Sequence, residues 1–205
     1  MHQMIVEIIE KTMERIPGGI YPIESINKRD LKKTIEKKPF SLITEVKFSS
    51  PSKGKITDIK RIVKQMEMGG SDAISVLTEP HYFGGNFVSL IKKMTKLPVL
   101  RKDFIIDEKQ LIESKNCGAD AILLIVSLFG EKLGGFIEIF SVDIKRTVEL
   151  AKHIPKDVIF VSESRIQTFD DIKLLLNCGV NAFLVGSSIR TSGDICKKVG
   201  KLKGV

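Results

Sequence analysis

Residues 118–126 read Gly118-Ala119-Asp120-Ala121-Ile122-Leu123-Leu124-Ile125-Val126, a glycine turn that runs straight into an unbroken apolar stretch. The arrangement recurs as Gly70-Ser71-Asp72-Ala73 before ISVLT and as Gly179-Val180-Asn181-Ala182 before FLVGS. An amphipathic stretch precedes each copy (IVKQMEMG, QLIESKNCG and IKLLLNCG), and glycine is the residue expected where a helix ends in a left-handed turn. Apolar runs that do not alternate with polar residues mark strands covered on both faces, as in a parallel sheet. Ser41–Val46 and residues 98–100 and 158–161 have the same character, which makes six strands, with a candidate seventh at residues 136–140. Helix starts are legible too: Asp107 with Gln110, and Thr168 with Asp171, have the spacing of a capping box.

Strands alternating with helices predict an α/β fold with right-handed crossovers, a (βα) barrel of the TIM type. Gly70 and Gly118 stand 48 residues apart, which is two units of about 24 with the strand at 98–100 between them. Residues 1–40 precede the first strand and read as a helical extension of one or two helices, split at Pro17-Gly18-Gly19. No linker composition marks a second domain, so residues 1–205 are expected to form a single barrel-like domain.

Hydrophobic residues make up 42% of the chain, enough for a core. No apolar run approaches the 18 or so residues of a membrane span, and the N-terminus has the spacing of an amphipathic helix, not of a secretory signal. Three cysteines without metal-like spacing argue against a disulfide scaffold or a zinc site. These features predict a reduced, soluble, cytoplasmic protein with no membrane partner. The formal net charge is +8, but the lysines are dispersed, aromatics are 6% and there is no Trp, so no nucleic acid is expected as partner. Positive charge of this kind suits the steering of a small anionic substrate.

Active sites of parallel α/β folds gather at the carboxyl ends of the strands. Here those ends carry Glu45 and Lys47, Thr78-Glu79, Arg101-Lys102-Asp103, Ser162-Glu163-Ser164-Arg165 and Gly186-Ser187-Ser188. Strand alternation points Glu45 and Lys47 to the same side. A ring of mutually paired charges closing the barrel top would account for each residue singly, yet stability alone does not require every strand to end in charge. The small residues after the last two strands suit a close approach to phosphate. Ser50-Pro51-Ser52-Lys53 matches S-x-x-K but lacks the companion motifs of serine β-lactam enzymes, and His2, His81 and His153 are isolated.

The strings ITEVKFSSPSKG, LTEPHYFGG, VLRKDFIID, GADAILLIV, VSES and NAFLVGSSI follow one another in the order of indole-3-glycerol phosphate synthases, which this sequence resembles over residues 22–126 and 142–190. The resemblance implies a (βα)₈ barrel with an N-terminal helical segment. It also implies conversion of 1-(2-carboxyphenylamino)-1-deoxyribulose 5-phosphate to indole glycerol phosphate in tryptophan biosynthesis, a carboxy-lyase reaction with loss of CO₂ and water. No metal and no organic cofactor is implied. Lys102 resembles the family's general acid, and Lys47 the first-strand lysine that contacts substrate and assists dehydration. Glu45 and Glu163 match the glutamates of the first and seventh strands. Ser50 and Pro51 resemble the loop that meets the anthranilate carboxylate, and Ser164, Gly186 and Ser187 fall on the phosphate cradle.

Two departures stand out. From Gly118 to Gly179 there are 61 residues, where four units of the full barrel need about 96, so the fold is expected to be abridged to six or seven strands. The missing part is where the family carries a glutamate base and an Asn-x-Arg pair. Glu138 in FIEIF is the candidate substitute if that run is a strand, although its apolar spacing also fits a helix. Second, the family's S-E-S-G reads Ser162-Glu163-Ser164-Arg165, so that Arg165 either binds phosphate through its guanidinium or obstructs the cradle. A shortened barrel is expected to close more tightly or to expose sheet edges, as a monomer or as a homo-oligomer paired through them. Three readings stay open: a working synthase, a non-catalytic relative that binds a phosphate ligand or assembles with other chains, and another phosphate-sugar barrel enzyme.

Overall fold

The computed structural model describes residues 3–15, 27–48, 58–83, 88–124, 144, 148, 158–163 and 165–205. The candidate seventh strand at 136–140 lies outside them. Six strands are described: β1 (Ser41–Val46), β2 (Ala73–Leu77), β3 (Val99–Lys102), β4 (Ala121–Ile122), β5 (Val161–Glu163) and β6 (Ala182–Val185). They form one sheet in the order β4-β3-β2-β1-β6-β5, and every pairing is parallel. The fifth apolar run begins its ladder only at Val161, three residues later than its composition suggests.

The described helices are α1 (Gln3–Arg15), α2 (Leu31–Glu36), α3 (Ile59–Met68), α4 (Pro80–Phe83), α5 (Val88–Met94), α6 (Glu108–Asn116), α7 (Phe169–Leu176), α8 (Ser187–Arg190) and α9 (Ile195–Lys203). Both capping boxes form: Asp107 with Gln110 opens α6, and Thr168 with Asp171 opens α7. Gly70, Gly118 and Gly179, the glycines of the repeat, have φ of 95°, 81° and 89°, the left-handed geometry that ends each preceding helix.

Strand alternation sorts the apolar residues into two cores. Leu42, Val46, Ile74, Val76, Val99, Phe183 and Val185 face outward and pack with Val63 and Met66 of α3, Ile91 of α5, Leu175 of α7 and Val199 of α9. Ile43, Ala73, Leu100, Ala182 and Leu184 face inward and meet Leu31 and Ile35 of α2, which closes the end opposite the strand tips. Each of the large inward side chains contributes about 1.5–3 kcal/mol of burial. The sheet is strongly curled. From β3 to β5 is four strand spacings, about 19 Å if flat. Yet Lys102 Nζ of β3 lies 2.6 Å from Glu163 Oε2 of β5. The described part is a TIM-barrel-like half-barrel whose inner face carries a polar layer above an apolar one.

Candidate functional site

Above the apolar layer the inward column continues with Glu45, Lys47, Lys102 and Glu163. Glu45 Oε1 accepts the Lys47 ammonium at 2.9 Å and Oε2 faces Lys102 Nζ at 3.3 Å. Lys102 also donates to Glu163 Oε2 at 2.6 Å. The two lysines therefore converge on one carboxylate, and the tips of β1 and β3 share one cleft. All four are largely buried, Glu45 most deeply, with 3% of its side chain exposed.

Burial pushes the Lys102 ammonium toward neutrality, but Glu45 and then Glu163 outweigh it and raise its pKa above the ordinary lysine value. For Glu45, burial favours the neutral acid, and the charges of Lys102 and Lys47 prevail and hold its pKa below the ordinary value. At neutral pH Glu45 is thus a carboxylate and Lys102 an ammonium, held as a charged proton donor.

These side chains line a cavity of about 480 Å³, within the range of small-molecule sites, which extends past Leu184, Gly186 and Ser187 to Arg165 and Lys198. Arg165 is exposed and sits at φ 54°, the left-handed region that glycine enters freely and a side chain enters at a cost. Among the described residues its guanidinium has no hydrogen-bond or ion-pair partner. It lines the cavity. At Gly186 an added Cβ would lie 2.6 Å from Glu45 Oε1, so the absent side chain leaves room for the carboxylate of β1.

Ser50, Pro51, Ser164 and Glu138 lie outside the described residues. Lys198 was missed by sequence reading. Its Nζ donates to the Gln167 carbonyl at 2.7 Å and so is held at the cavity wall. No local motif marks it among the lysines of α9, because only the packing of that helix brings it there. Arg101 turns the other way, as alternation from Lys102 requires. It is fully buried outside the sheet, bonding Asp103 at 2.9 Å, Ser114 at 3.0 Å, Glu113 at 3.1 Å and Thr78 at 3.2 Å. Among the described residues no group of three or more His, Cys, Asp or Glu side chains is placed to hold a metal ion.

The family model for indole-3-glycerol phosphate synthase matches residues 9–135 and 137–202. The chain belongs to the indole-3-glycerol phosphate synthase family. It is 39% identical to the indole-3-glycerol phosphate synthase of Caldanaerobacter subterraneus subsp. tengcongensis, covering 97% of this chain and 95% of the relative. To that of Priestia megaterium it is 35% identical, covering 98% of both. The first alignment runs over 244 positions, of which 97% of 205 residues fills about 199, so about 45 positions of a synthase of this family have no counterpart here. In fold the chain is similar to (S)-3-O-geranylgeranylglyceryl phosphate synthase from Thermoplasma acidophilum, with a TM-score of 0.55, 14% identity and coverage of 85% of this chain and 97% of that one. Among the described residues no helix is long and apolar enough to cross a membrane.

Proposed function

We propose that this member of the synthase family closes the indole ring of 1-(2-carboxyphenylamino)-1-deoxyribulose 5-phosphate with Lys102 as general acid, within a single barrel-type domain acting in the cytoplasm. The observation that carries the assignment is the convergence of Lys47 and Lys102 on Glu45 inside one cavity. As the ring carbon bearing the carboxylate attacks the substrate ketone, negative charge develops on the ketone oxygen. An alkoxide is far more basic than an amine, so Lys102 protonates it even with a raised pKa. Breaking the bond to the carboxylate releases CO₂ and returns its electron pair to the ring. The hydroxyl formed from the ketone then leaves as water, taking a proton from Lys47, and loss of a proton from the adjacent carbon completes the indole. That last proton is assigned to Glu138.

Glu45 stands between the two ammoniums, and with Glu163 it holds Lys102 protonated. Gly186, Ser187 and Ser164 are assigned to the phosphate with Arg165, whose guanidinium supplies by charge what the family's glycine supplies by close approach. Ser50 and Pro51 are assigned to the anthranilate carboxylate. A fluorescence assay for indole glycerol phosphate tests the proposal: wild type forms product and Lys102→Ala forms none. A folded wild type that forms no product refutes it and favours a non-catalytic relative, the reading that the about 45 missing positions keep in view.

A further inference from the structure

Gly186 has φ −122°, outside the left-handed region, so a positive φ is not what calls for glycine at this position. What a side chain would meet is Glu45. An added Cβ would lie 2.6 Å from Oε1, 3.1 Å from Cβ and 3.3 Å from Cδ of that residue. The ladder explains the closeness: Thr44 pairs with Val185, so the next residue on each strand, Glu45 and Gly186, stand side by side. Glu45 has little room to retreat, since Ser75 of β2 pairs with it on the other flank and both its oxygens face ammoniums.

We infer that Gly186 is a positioning residue for the two lysines: by having no side chain it lets the Glu45 carboxylate stand between Lys47 and Lys102. The functional weight of this rests on the proposed reaction, but the contact does not. A methyl group at 186 forces the carboxylate aside as a unit. Among the described residues Lys102 then keeps Glu163 alone, at 2.6 Å, while the cations Lys47, Arg165 and Lys198 still line the same cavity. Its proton becomes easier to lose. If the glycine served only to bring the backbone near a phosphate, a methyl group would weaken substrate affinity and leave Lys102 untouched.

The test uses the full chain as Gly186→Ala, Glu45→Asp, the double variant, and Gly193→Ala, where an added Cβ meets nothing within 4 Å. Lysines are reductively methylated with ¹³C and titrated by NMR without substrate, and the Lys102 signal is assigned by its loss in Lys102→Met. Gly186→Ala lowers the Lys102 pKa by about one unit, the shift expected when a facing carboxylate withdraws. The double variant recovers at least half of that shift, because the shorter aspartate clears the methyl group, and Gly193→Ala matches wild type. A Lys102 titration in Gly186→Ala that is unchanged or raised overturns the inference, as does a double variant no nearer to wild type. Should Gly186→Ala fail to fold, recovery of folded protein in the double variant supports the inference and continued failure overturns it. The alkaline limb of kcat follows the same shift in an active enzyme. A wild type without turnover counts against the proposed reaction alone, since the titration needs no substrate.

Discussion

Arg101→Met tests whether the outer face of β3 holds the inner one in place. Methionine matches the arginine stem but removes a guanidinium that is fully buried and makes four hydrogen bonds. Asp103 and Glu113, exposed by only 2% and 7%, lose their shared cation. Stripping one partner from a buried ion pair costs about 3–5 kcal/mol. Asp103 keeps the Thr78 hydroxyl and the Phe104 N–H, both at 2.8 Å, so the lower part of that range applies, about 3–4 kcal/mol. For a chain of this size that is a fall in Tm of about 6–16 °C. Urea denaturation followed by circular dichroism should show a lower midpoint at unchanged slope. Adding Asp103→Asn and Glu113→Gln should restore part of the loss by neutralising the two carboxylates that the guanidinium had faced. Lys102 lies between Arg101 and Asp103, so kcat should fall more than KM changes. A loss under about 1 kcal/mol would refute the reasoning, since it would mean that water or rearrangement replaces the arginine at little cost.

Glu163→Gln removes the carboxylate 2.6 Å from Lys102, so the Lys102 pKa falls and the alkaline limb of the pH–rate profile moves to lower pH by about 1–2 units. Glu45 has a folded pKa below its ordinary 4.5, so its stabilising contribution is present above that value and disappears as pH falls through the folded pKa. Urea midpoints measured below pH 4.5 should therefore decline less steeply in Glu45→Gln than in wild type. Arg165→Gly should relieve about 1 kcal/mol of backbone strain, seen as a higher urea midpoint, while weakening a phosphate ligand about tenfold and reducing the salt dependence of its binding. Thr168→Ala breaks the capping box of α7 and should cost about 1 kcal/mol in the same denaturation assay.

The repeat of glycine turn and apolar run was enough to read the parallel sheet, since the left-handed turns and two-sided burial act within a few residues. Capping boxes are similarly local, and both formed as spaced. Strand alternation also placed Glu45 and Lys47 together. It could not place Glu163 against Lys102, because that contact depends on the curl of the whole sheet. Lys198 was invisible for a related reason: its position follows from how α9 packs, not from its neighbours in sequence. The closeness of Gly186 to Glu45 was likewise out of reach, since the two stand 141 positions apart in sequence and meet only through the pairing of β1 with β6. The late start of β5 reflects an apolar run, residues 158–161, whose first members are buried without joining the ladder or stand exposed, as Val158 does.

The ion pair that joins β3 to β5 fastens the rim of the sheet like a clasp, and one half of that clasp is the proposed proton donor. With Lys102 as that donor, turnover and the closeness of β3 to β5 depend on the same atoms. A lineage that gave up the reaction would be free to lose Lys102 and, with it, a tie that keeps the rim drawn in.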